Sequence, residues 1–314
     1  MSSEKTLGEK LQSIPKGVLY LVLILACAVP LFLNKRLPNK PVDSSLDLYA
    51  ALGSLKEGST VLISSDWTNS TRAENGSDMD VLLKLLMRRK VKFAVYSIAD
   101  ANATEVAKNE IAAINEERVK NGEEPYKRWR DWVDLGFYPN GEGTATSMTV
   151  SVKEAFAGRK DINEQSQSED VFDSPVLKNV SKLSDVAMVV NVTGSNTYRN
   201  YVQRLSGKVP ICCLVTGVMG PESFNYYASG QITGLAIGIK GVYDMECLLE
   251  AGVNVEGSPY HSTRINDPAP GYPGASNYGK GALFYPSLHA GLFTLILAVI
   301  IGNVGMFMAR RKTS

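Results

Sequence analysis

Histidine is scarce in this chain, and its cysteines lack the spacing of a metal or redox site. Both features restrict the chemistry that the protein can perform. Of its 314 residues only two are histidine. His261 lies in a segment rich in proline and glycine, and His289 lies in an apolar run near the C-terminus. A Ser-His-Asp triad, a two-histidine zinc site and an HExxH metalloprotease are therefore nearly excluded for the globular part. We predict no catalytic residue, no metal site and no cofactor.

The four cysteines have no CxxC spacing and indicate no metal or redox site. Cys27 lies in an apolar run and Cys247 in a predicted helix, whereas Cys212 and Cys213 are neighbours in a predicted strand. Adjacent strand residues point to opposite faces, so these two do not readily pair. We interpret all four as small core residues, with a disulfide between Cys247 and one of the pair as the open alternative.

Nucleic-acid and nucleotide sites are also missing from the sequence. The formal net charge is +1, and no basic stripe alternates with aromatic residues, so we predict no nucleic-acid partner. The glycines of 234–241 have the wrong spacing for GxGxxG and follow a late strand, and no Walker A sequence occurs.

Long apolar runs are present at both ends of the chain, and they predict membrane-spanning helices at 17–34 and 282–308. The first run has a signal-sequence alternative, because Ala26-Cys27-Ala28 resembles a cleavage site. Apolar residues continue beyond that point to Leu33, which favours an uncleaved anchor.

Basic residues beside the second run predict the membrane topology. Arg310, Arg311 and Lys312 follow this run directly, whereas only Lys280 is close before it. The positive-inside rule therefore places the C-terminus in the cytoplasm. With two spans the N-terminus lies on the same side. The predicted location is the cytoplasmic (inner) membrane, with both termini cytoplasmic and the main domain extracytoplasmic.

Between the spans, short apolar runs alternate with helical patterns, which is typical of an α/β domain with a parallel sheet. We predict strands at 59–65, 91–98, 132–138 and 186–192 and two more within 209–252, giving a three-layer, mostly parallel sheet of Rossmann or flavodoxin type. Two smaller lobes hinged near residue 160 are the alternative. The predicted organisation is a cytoplasmic tail (1–16), a span (17–34), the α/β domain (35–252), an extended segment rich in Gly, Pro and Tyr (253–281), a second span (282–308) and a basic tail (309–314).

The polar, acidic stretch 158–175 is interpreted as a solvated surface loop. The alternatives are a flap over a site and a loop that docks a partner. The extended segment 253–281 is interpreted as a linker or as a segment that packs on a neighbour.

Polar residues follow the predicted strands, at the edge where open α/β sheets usually bind ligands. Hydroxyls and backbone N–H groups at such positions suit a carboxylate, a phosphate or another small polar ligand. The same residue types are also ordinary N-caps of helices, which is the alternative interpretation. The candidate ligand-binding residues are Ser65, Asp66, Thr193, Ser195, Thr216 and Lys240.

Small residues recur every four positions in the second apolar run and form one stripe along the predicted helix. Small stripes let membrane helices approach each other closely. The stripe is predicted to pack on the first helix, on another copy or on a different subunit; general Gly and Ala richness is the alternative explanation. The stripe consists of Ala290, Thr294, Ala298 and Gly302.

The segment GQITGLAIGIKGVYDME, residues 230–246, resembles uncharacterised prokaryotic membrane-anchored α/β proteins. In these proteins an apolar anchor precedes an alternating strand-helix domain. The resemblance implies this architecture and no activity, so it assigns no functional residue.

These observations favour a non-enzymatic, membrane-anchored extracytoplasmic subunit or scaffold of a larger membrane assembly. Its partners would be the membrane and other membrane-protein subunits or further copies of itself. The first alternative is a ligand-binding sensor or transporter-associated receptor; the second is a hydrolase or transferase that uses Asp66 and strand-end hydroxyls. A polar pocket converging on Asp66, Thr193 and Thr216 would favour the alternatives, and a filled sheet edge would favour the scaffold.

Overall fold

The computed structural model of the protein describes residues 7–33 and 35–310. The chain divides into an α/β unit, Asn39–Gly281, and a helical unit formed by the segments on either side of it. Parts of the predicted tails at 1–16 and 309–314, including Arg311 and Lys312, lie outside the described residues, as does Asn34 at the end of the first predicted span.

Six parallel strands form the sheet of the α/β unit, which confirms the predicted α/β class. Their order across the sheet is β3-β2-β1-β6-β7-β8. A separate antiparallel pair, β4 and β5, lies within the stretch predicted as a solvated loop. The strands are β1 (Thr60–Asp66), β2 (Lys92–Ser97), β3 (Trp132–Phe137), β4 (Lys160–Ile162), β5 (Ser168–Asp170), β6 (Met188–Thr193), β7 (Ile211–Val215) and β8 (Gly234–Ile237).

Eleven α-helices occur among the described residues. Amphipathic patterning predicts most of those in the α/β unit, because their apolar positions recur every three to four residues. The helices are α1 (Leu7–Gln12), α2 (Lys16–Leu33), α3 (Asp43–Gly53), α4 (Ser77–Arg88), α5 (Ala103–Lys120), α6 (Gly141–Val150), α7 (Val152–Ala155), α8 (Tyr198–Leu205), α9 (Gly220–Ala228), α10 (Gly238–Ala251) and α11 (Lys280–Arg310).

The sheet is covered on both faces, which explains why its strands are mostly apolar and carry their polar residues towards the carboxyl ends of β1 and β6. Val61 and Ile63 of β1 belong to one buried cluster together with residues of α3, α4, α5 and α10. Leu62 belongs to a second cluster with residues of α6 and α8. The adjacent cysteines of β7 follow the same alternation: Cys212 lies in the first cluster and Cys213 in the second.

The strand order has a switch point between β1 and β6, which are neighbours in the sheet but distant in sequence. The chain leaves β1 towards α4 on one face and leaves β6 towards α8 on the other face. Doubly wound sheets bind ligands at the carboxyl ends of the strands beside such a point. A ligand site is therefore expected where β1 ends at Asp66 and β6 ends at Thr193.

The segment 253–281 packs on the α/β unit through a buried carboxylate. Asp47 of α3 is fully buried and accepts hydrogen bonds from Tyr227 Oη at 2.7 Å, Ser262 Oγ at 2.6 Å and Thr263 N at 3.0 Å. Val253 and Ala269 form an antiparallel bridge at the start of the segment. The segment is therefore ordered by the domain that precedes it, although it has little regular structure.

The stretch 158–175 is more than a solvated loop, because part of it enters the core. Val171 and Phe172 are buried in the second cluster. Asp161 is also buried, and its Oδ2 accepts a hydrogen bond from Asp134 N of β3 at 2.9 Å. The mostly acidic and polar composition of this stretch gave no indication that these three side chains are buried.

Both ends of the α/β unit are held by α10. Asp244 is fully buried and accepts hydrogen bonds from Asn39 Nδ2 at 2.8 Å and from Val42 N at 3.1 Å. Glu246, one half-turn further, accepts a hydrogen bond from Gly281 N at 2.8 Å. Residues at both ends of the α/β unit are therefore hydrogen-bonded to the same helix.

The helical unit pairs α1 and α2 with α11 in antiparallel fashion. Ser287 Oγ donates to Cys27 O at 2.6 Å, and a Cβ atom at Gly291 would lie 2.9 Å from Cys27 Sγ. Further along, Gly305 is close to Gly8 and Leu11. Two helices, Lys16–Leu33 and Lys280–Ala309, are long and apolar enough to be candidate membrane spans.

Candidate functional site

Asp66 is the centre of the carboxyl edge of the sheet, and its carboxylate is fully occupied by neighbouring strands. Its Oδ1 accepts hydrogen bonds from Ser97 Oγ at 3.0 Å and Ile98 N at 2.8 Å. Its Oδ2 accepts from Ser64 Oγ and Asn191 Nδ2, both at 2.8 Å. These donors come from β1, β6 and the end of β2, so Asp66 ties three strands together.

Burial decides the electrostatics of this group. Only 3% of Asp66 is exposed, and desolvation raises the pKa of its carboxyl above the ordinary value, partly offset by the hydrogen bonds it accepts. Tyr201 Oη donates to Ser64 Oγ at 2.6 Å, and burial raises the pKa of this tyrosine well above its ordinary value. The group has the character of a structural node, with no surface from which it could reach a bound molecule in this arrangement.

Three further candidates lie beside Asp66 at the same edge. Thr193 is buried, and its Oγ1 contacts Asp66 O at 3.3 Å and accepts from Ser195 N at 3.0 Å. The backbone N–H of Thr216 donates to Thr193 O at 3.2 Å. The structure thus brings Asp66, Thr193, Ser195 and Thr216 together, as the parallel strand order predicts.

Ser65 and Lys240 have other surroundings. Ser65 is fully buried and its Oγ donates to Ala103 O at 3.4 Å. Lys240 lies in the first turn of α10, where its Nζ donates to Lys40 O at 3.1 Å and pairs with Asp244. Lys240 therefore helps to hold the segment at the start of the α/β unit, around Lys40, against α10.

Sequence reasoning missed Glu74 and Asn75, which lie in the polar loop between β1 and α4, within its π-helical turn Arg72–Gly76. The carboxylate Oε2 of Glu74 accepts a hydrogen bond from Gly217 N at 2.7 Å. Asn75 is fully buried, and its Nδ2 donates to Thr193 O at 3.1 Å and to Asp78 Oδ2 at 3.2 Å. These two side chains hold the loop across the carboxyl edge of the sheet.

Glycines follow three neighbouring strands at this edge, and two of them, Gly194 and Gly238, leave space that the loop occupies. We call Gly194, Gly217 and Gly238 the three-glycine edge. A Cβ atom at Gly194 would lie 2.7 Å from Thr71 Cγ2, and one at Gly238 would lie 3.0 Å from Glu74 Oε2. Glycine at such positions indicates close approach of a ligand or of another backbone. Here the approaching group is the chain's own loop, and the recurrence of glycine after β6, β7 and β8 is the signal that could have revealed it.

Unpaired polar atoms remain beneath the loop. Asn75 Oδ1, Asp78 Oδ1 and Trp67 Nε1 are buried and have no hydrogen-bond partner. Burial raises the pKa of Asp78 well above its ordinary value, because desolvation penalises the charged carboxylate. Burying polar atoms without hydrogen-bond partners destabilises the fold, so this part of the edge is less well satisfied than the surroundings of Asp66.

A cavity of about 540 Å³ lies at the opposite, amino edge of the sheet, where Arg88 and Arg118 line it. These residues occupy the last turns of α4 and α5, where basic residues compensate the helix dipole. Arg88 also donates to Ser276 Oγ at 2.9 Å, and Arg118 pairs with Glu123 at 2.7 Å. The candidate residues predicted from the sequence lie instead at or near the carboxyl ends of the strands.

The described part of the chain contains no group of three His, Cys, Asp or Glu side chains arranged to hold a metal ion. All four cysteines are free thiols, so Cys247 forms no disulfide with Cys212 or Cys213. Burial raises the pKa of Cys212 to about 12, which makes its thiol a poor nucleophile.

The predicted small-residue stripe of α11 is only partly used within the chain. Ala298 and Gly302 line a groove of about 390 Å³ together with Leu11 and Leu19. Among the described residues, no atom outside the adjacent turns of α11 lies within 4 Å of the position that a Cβ would take at Gly302. Thr294 Oγ1 donates to Ala290 O at 2.8 Å, which satisfies its hydroxyl inside α11. Close contacts of α11 with α2 and α1 are made instead by Gly291 and Gly305.

Compared with models of protein families, with curated proteins and with solved structures, the chain gives no match. The resemblance of residues 230–246 therefore gains no named family, and function has to be argued from the geometry above.

Proposed function

We propose that this protein is a non-enzymatic, membrane-anchored subunit or scaffold of a larger membrane assembly, with its α/β unit outside the cytoplasmic membrane. One observation carries the proposal. The sheet edge that would bind a ligand is filled by the loop that carries Glu74 and Asn75, and the hydrogen-bonding capacity of Asp66 is used by its own neighbours. A filled edge favours a role in which surfaces, rather than a pocket, perform the function.

The distribution of apolar surface also supports the proposal. Most of the large exposed apolar side chains belong to α2 and α11, whereas those of the α/β unit, such as Val150 and Val218, are scattered. Helices of this length and composition suit a bilayer, and the basic residues after α11 favour a cytoplasmic C-terminus. The antiparallel pairing of α2 with α11 is compatible with both termini on that side. On this proposal the sheet belongs to the doubly wound, Rossmann-type class.

A ligand-binding sensor is the second candidate, and the three-glycine edge is the observation that favours it. The enzyme alternative uses Asp66 and strand-end hydroxyls. It is less favoured, because Asp66 is only 3% exposed and its carboxylate accepts hydrogen bonds from its neighbours.

The test is the mass of the full-length protein extracted from its native membrane in mild detergent, with the co-purifying chains identified. We expect a large, discrete particle. Gly302→Leu should reduce its mass, because the new side chain fills space that is open within the chain and would obstruct a partner helix. Ile296→Leu, a conservative change on an exposed part of α11, is the matched control. A lone monomer in the wild type would refute the proposal.

A further inference from the structure

Two of the large exposed apolar side chains of the α/β unit share one surface, the outer side of α9. Val218, in the turn that leads into this helix, is 81% exposed, and Phe224 is 48% exposed. Pro221 and Ala228 are exposed as well, and the helical repeat brings all four within about a third of the circumference. We call these four residues the α9 face. The outer side of a surface helix is usually polar, so an apolar one is expected to contact a partner.

The inner side of α9 is fixed to the α/β unit. Tyr227 Oη donates to Asp47 Oδ2 at 2.7 Å, and the Tyr227 ring packs on Phe224 with the ring centroids 5.7 Å apart. A Cβ atom at Gly220 would lie 2.6 Å from Ile237 Cγ2, so the start of α9 lies directly against the end of β8. The α9 face is therefore a fixed surface of the unit.

The ends of the α/β unit indicate what covers this face. Gly281 comes immediately before the second predicted span, and its N–H donates to Glu246 of α10 at 2.8 Å. Lys40 follows the first predicted span after a short neck, and its carbonyl O accepts a hydrogen bond from Lys240 of α10 at 3.1 Å. Chain continuity therefore places α10 beside the bilayer surface at which both spans end.

The α9 face begins next to the first turn of α10. A Cβ atom at Gly238 would lie 3.1 Å from Gly217 N, and Val218 is the next residue along the chain. Lys240, which holds Lys40, lies in the same first turn of α10. The α9 face is therefore close to the part of the unit that is tied to the membrane.

We propose that the α9 face docks into the interfacial layer of the bilayer that α2 and α11 span. Val218 and Phe224 enter the boundary between headgroups and acyl chains, as the apolar side of an interfacial helix does. The surrounding charges suit this position, because Lys40 is exposed to anionic headgroups and the carboxylate of Glu222 is paired with Arg199. The inference rests on the membrane anchoring in the proposed function and not on assembly with other subunits.

The test uses the full-length protein reconstituted in vesicles of phosphatidylcholine and phosphatidylglycerol, with and without bromine on the acyl chains. Bromine quenches tryptophan fluorescence on contact. Val218→Trp places a tryptophan on the α9 face. Val150→Trp is the matched control, because Val150 is 79% exposed and ends α6, away from the carboxyl edge. Ile296→Trp reports insertion of α11. The signal of the wild type, whose three tryptophans are buried, is subtracted.

We expect bromine to quench Val218→Trp more than Val150→Trp and less than Ile296→Trp. Equal quenching at positions 218 and 150 would overturn the proposal. Blue-shifted emission of Val218→Trp without quenching would assign the face to another protein and would overturn the bilayer as its occupant. Absence of quenching in Ile296→Trp would overturn the membrane anchoring, and the docking with it, so the two failures are distinguishable. If Val218→Trp does not fold, Phe224→Trp replaces one ring by another on the same face and the same comparison decides.

Discussion

Replacing Asp66 with alanine should destabilise the α/β unit strongly, because this carboxylate connects three strands. Four donors converge on it, from Ser64, Ser97, Ile98 and Asn191. The two serine hydroxyls can turn to other acceptors, whereas the backbone N–H of Ile98 and one amide proton of Asn191 cannot. A buried donor without a partner costs about 1–3 kcal/mol, so the expected loss is about 2–6 kcal/mol. That is a large part of the roughly 5–15 kcal/mol that stabilises a typical domain.

Tryptophan fluorescence during urea unfolding of the full-length protein in detergent measures this loss. The chain has three tryptophans, Trp67, Trp129 and Trp132, and all lie in the α/β unit, so the signal reports that unit alone. Asp173→Ala removes an exposed aspartate from the same unit and is the matched control. The midpoint of unfolding should fall in Asp66→Ala with an unchanged slope. A midpoint equal to that of the control would refute the assignment of Asp66 as a structural node.

Three further predictions use the same fluorescence assay or proteolysis. Burial raises the pKa of Asp78 well above its ordinary value, so the folded unit keeps a proton that the unfolded chain loses above about pH 4. The free energy of unfolding therefore falls as pH rises towards the folded-state pKa, by up to about 1.4 kcal/mol per pH unit. Asp78→Asn should remove this fall, and parallel pH profiles for the two proteins would contradict the reasoning. Gly234→Ala would place the new Cβ 2.3 Å from Leu48 Cα, a backbone atom that can yield only if α3 moves. We expect the free energy of unfolding to fall by about 1–3 kcal/mol or more. Wild-type stability would show that α3 does not pack this closely. Asp47→Ala removes the acceptor that holds Ser262 and Thr263, so limited proteolysis should cleave within 253–281 before the rest of the unit, and unchanged resistance would mean that other contacts hold the segment.

Local pattern was sufficient to predict most elements of the α/β unit. The strand predicted at 91–98 is observed as Lys92–Ser97, and the strand predicted at 186–192 is observed as Met188–Thr193. Buried parallel strands are apolar along their whole length, and surface helices are apolar on one face, so both can be read from adjacent residues. Acidic composition misled this reasoning at 158–175, because charge along a segment does not exclude a few inward side chains such as Phe172.

The candidate site could be predicted only in part. Parallel strands place their carboxyl ends at one edge, so the proximity of Asp66, Thr193 and Thr216 follows from the strand pattern. Whether that edge is open or filled depends on a loop that has no regular pattern. The contacts of Glu74 and Asn75 join residues more than a hundred positions apart, and no local rule predicts such pairs.

The sequence by itself determined the class of the domain and the two apolar end segments, because each depends on composition or on a short repeat. Only the tertiary structure decided that Asp66 is saturated, that Asp47 holds the segment after α10, and that Glu74 lies against the three-glycine edge. These outcomes depend on which distant groups burial brings within hydrogen-bonding distance. A buried polar group must find a partner wherever the fold places one, and sequence order does not encode that choice.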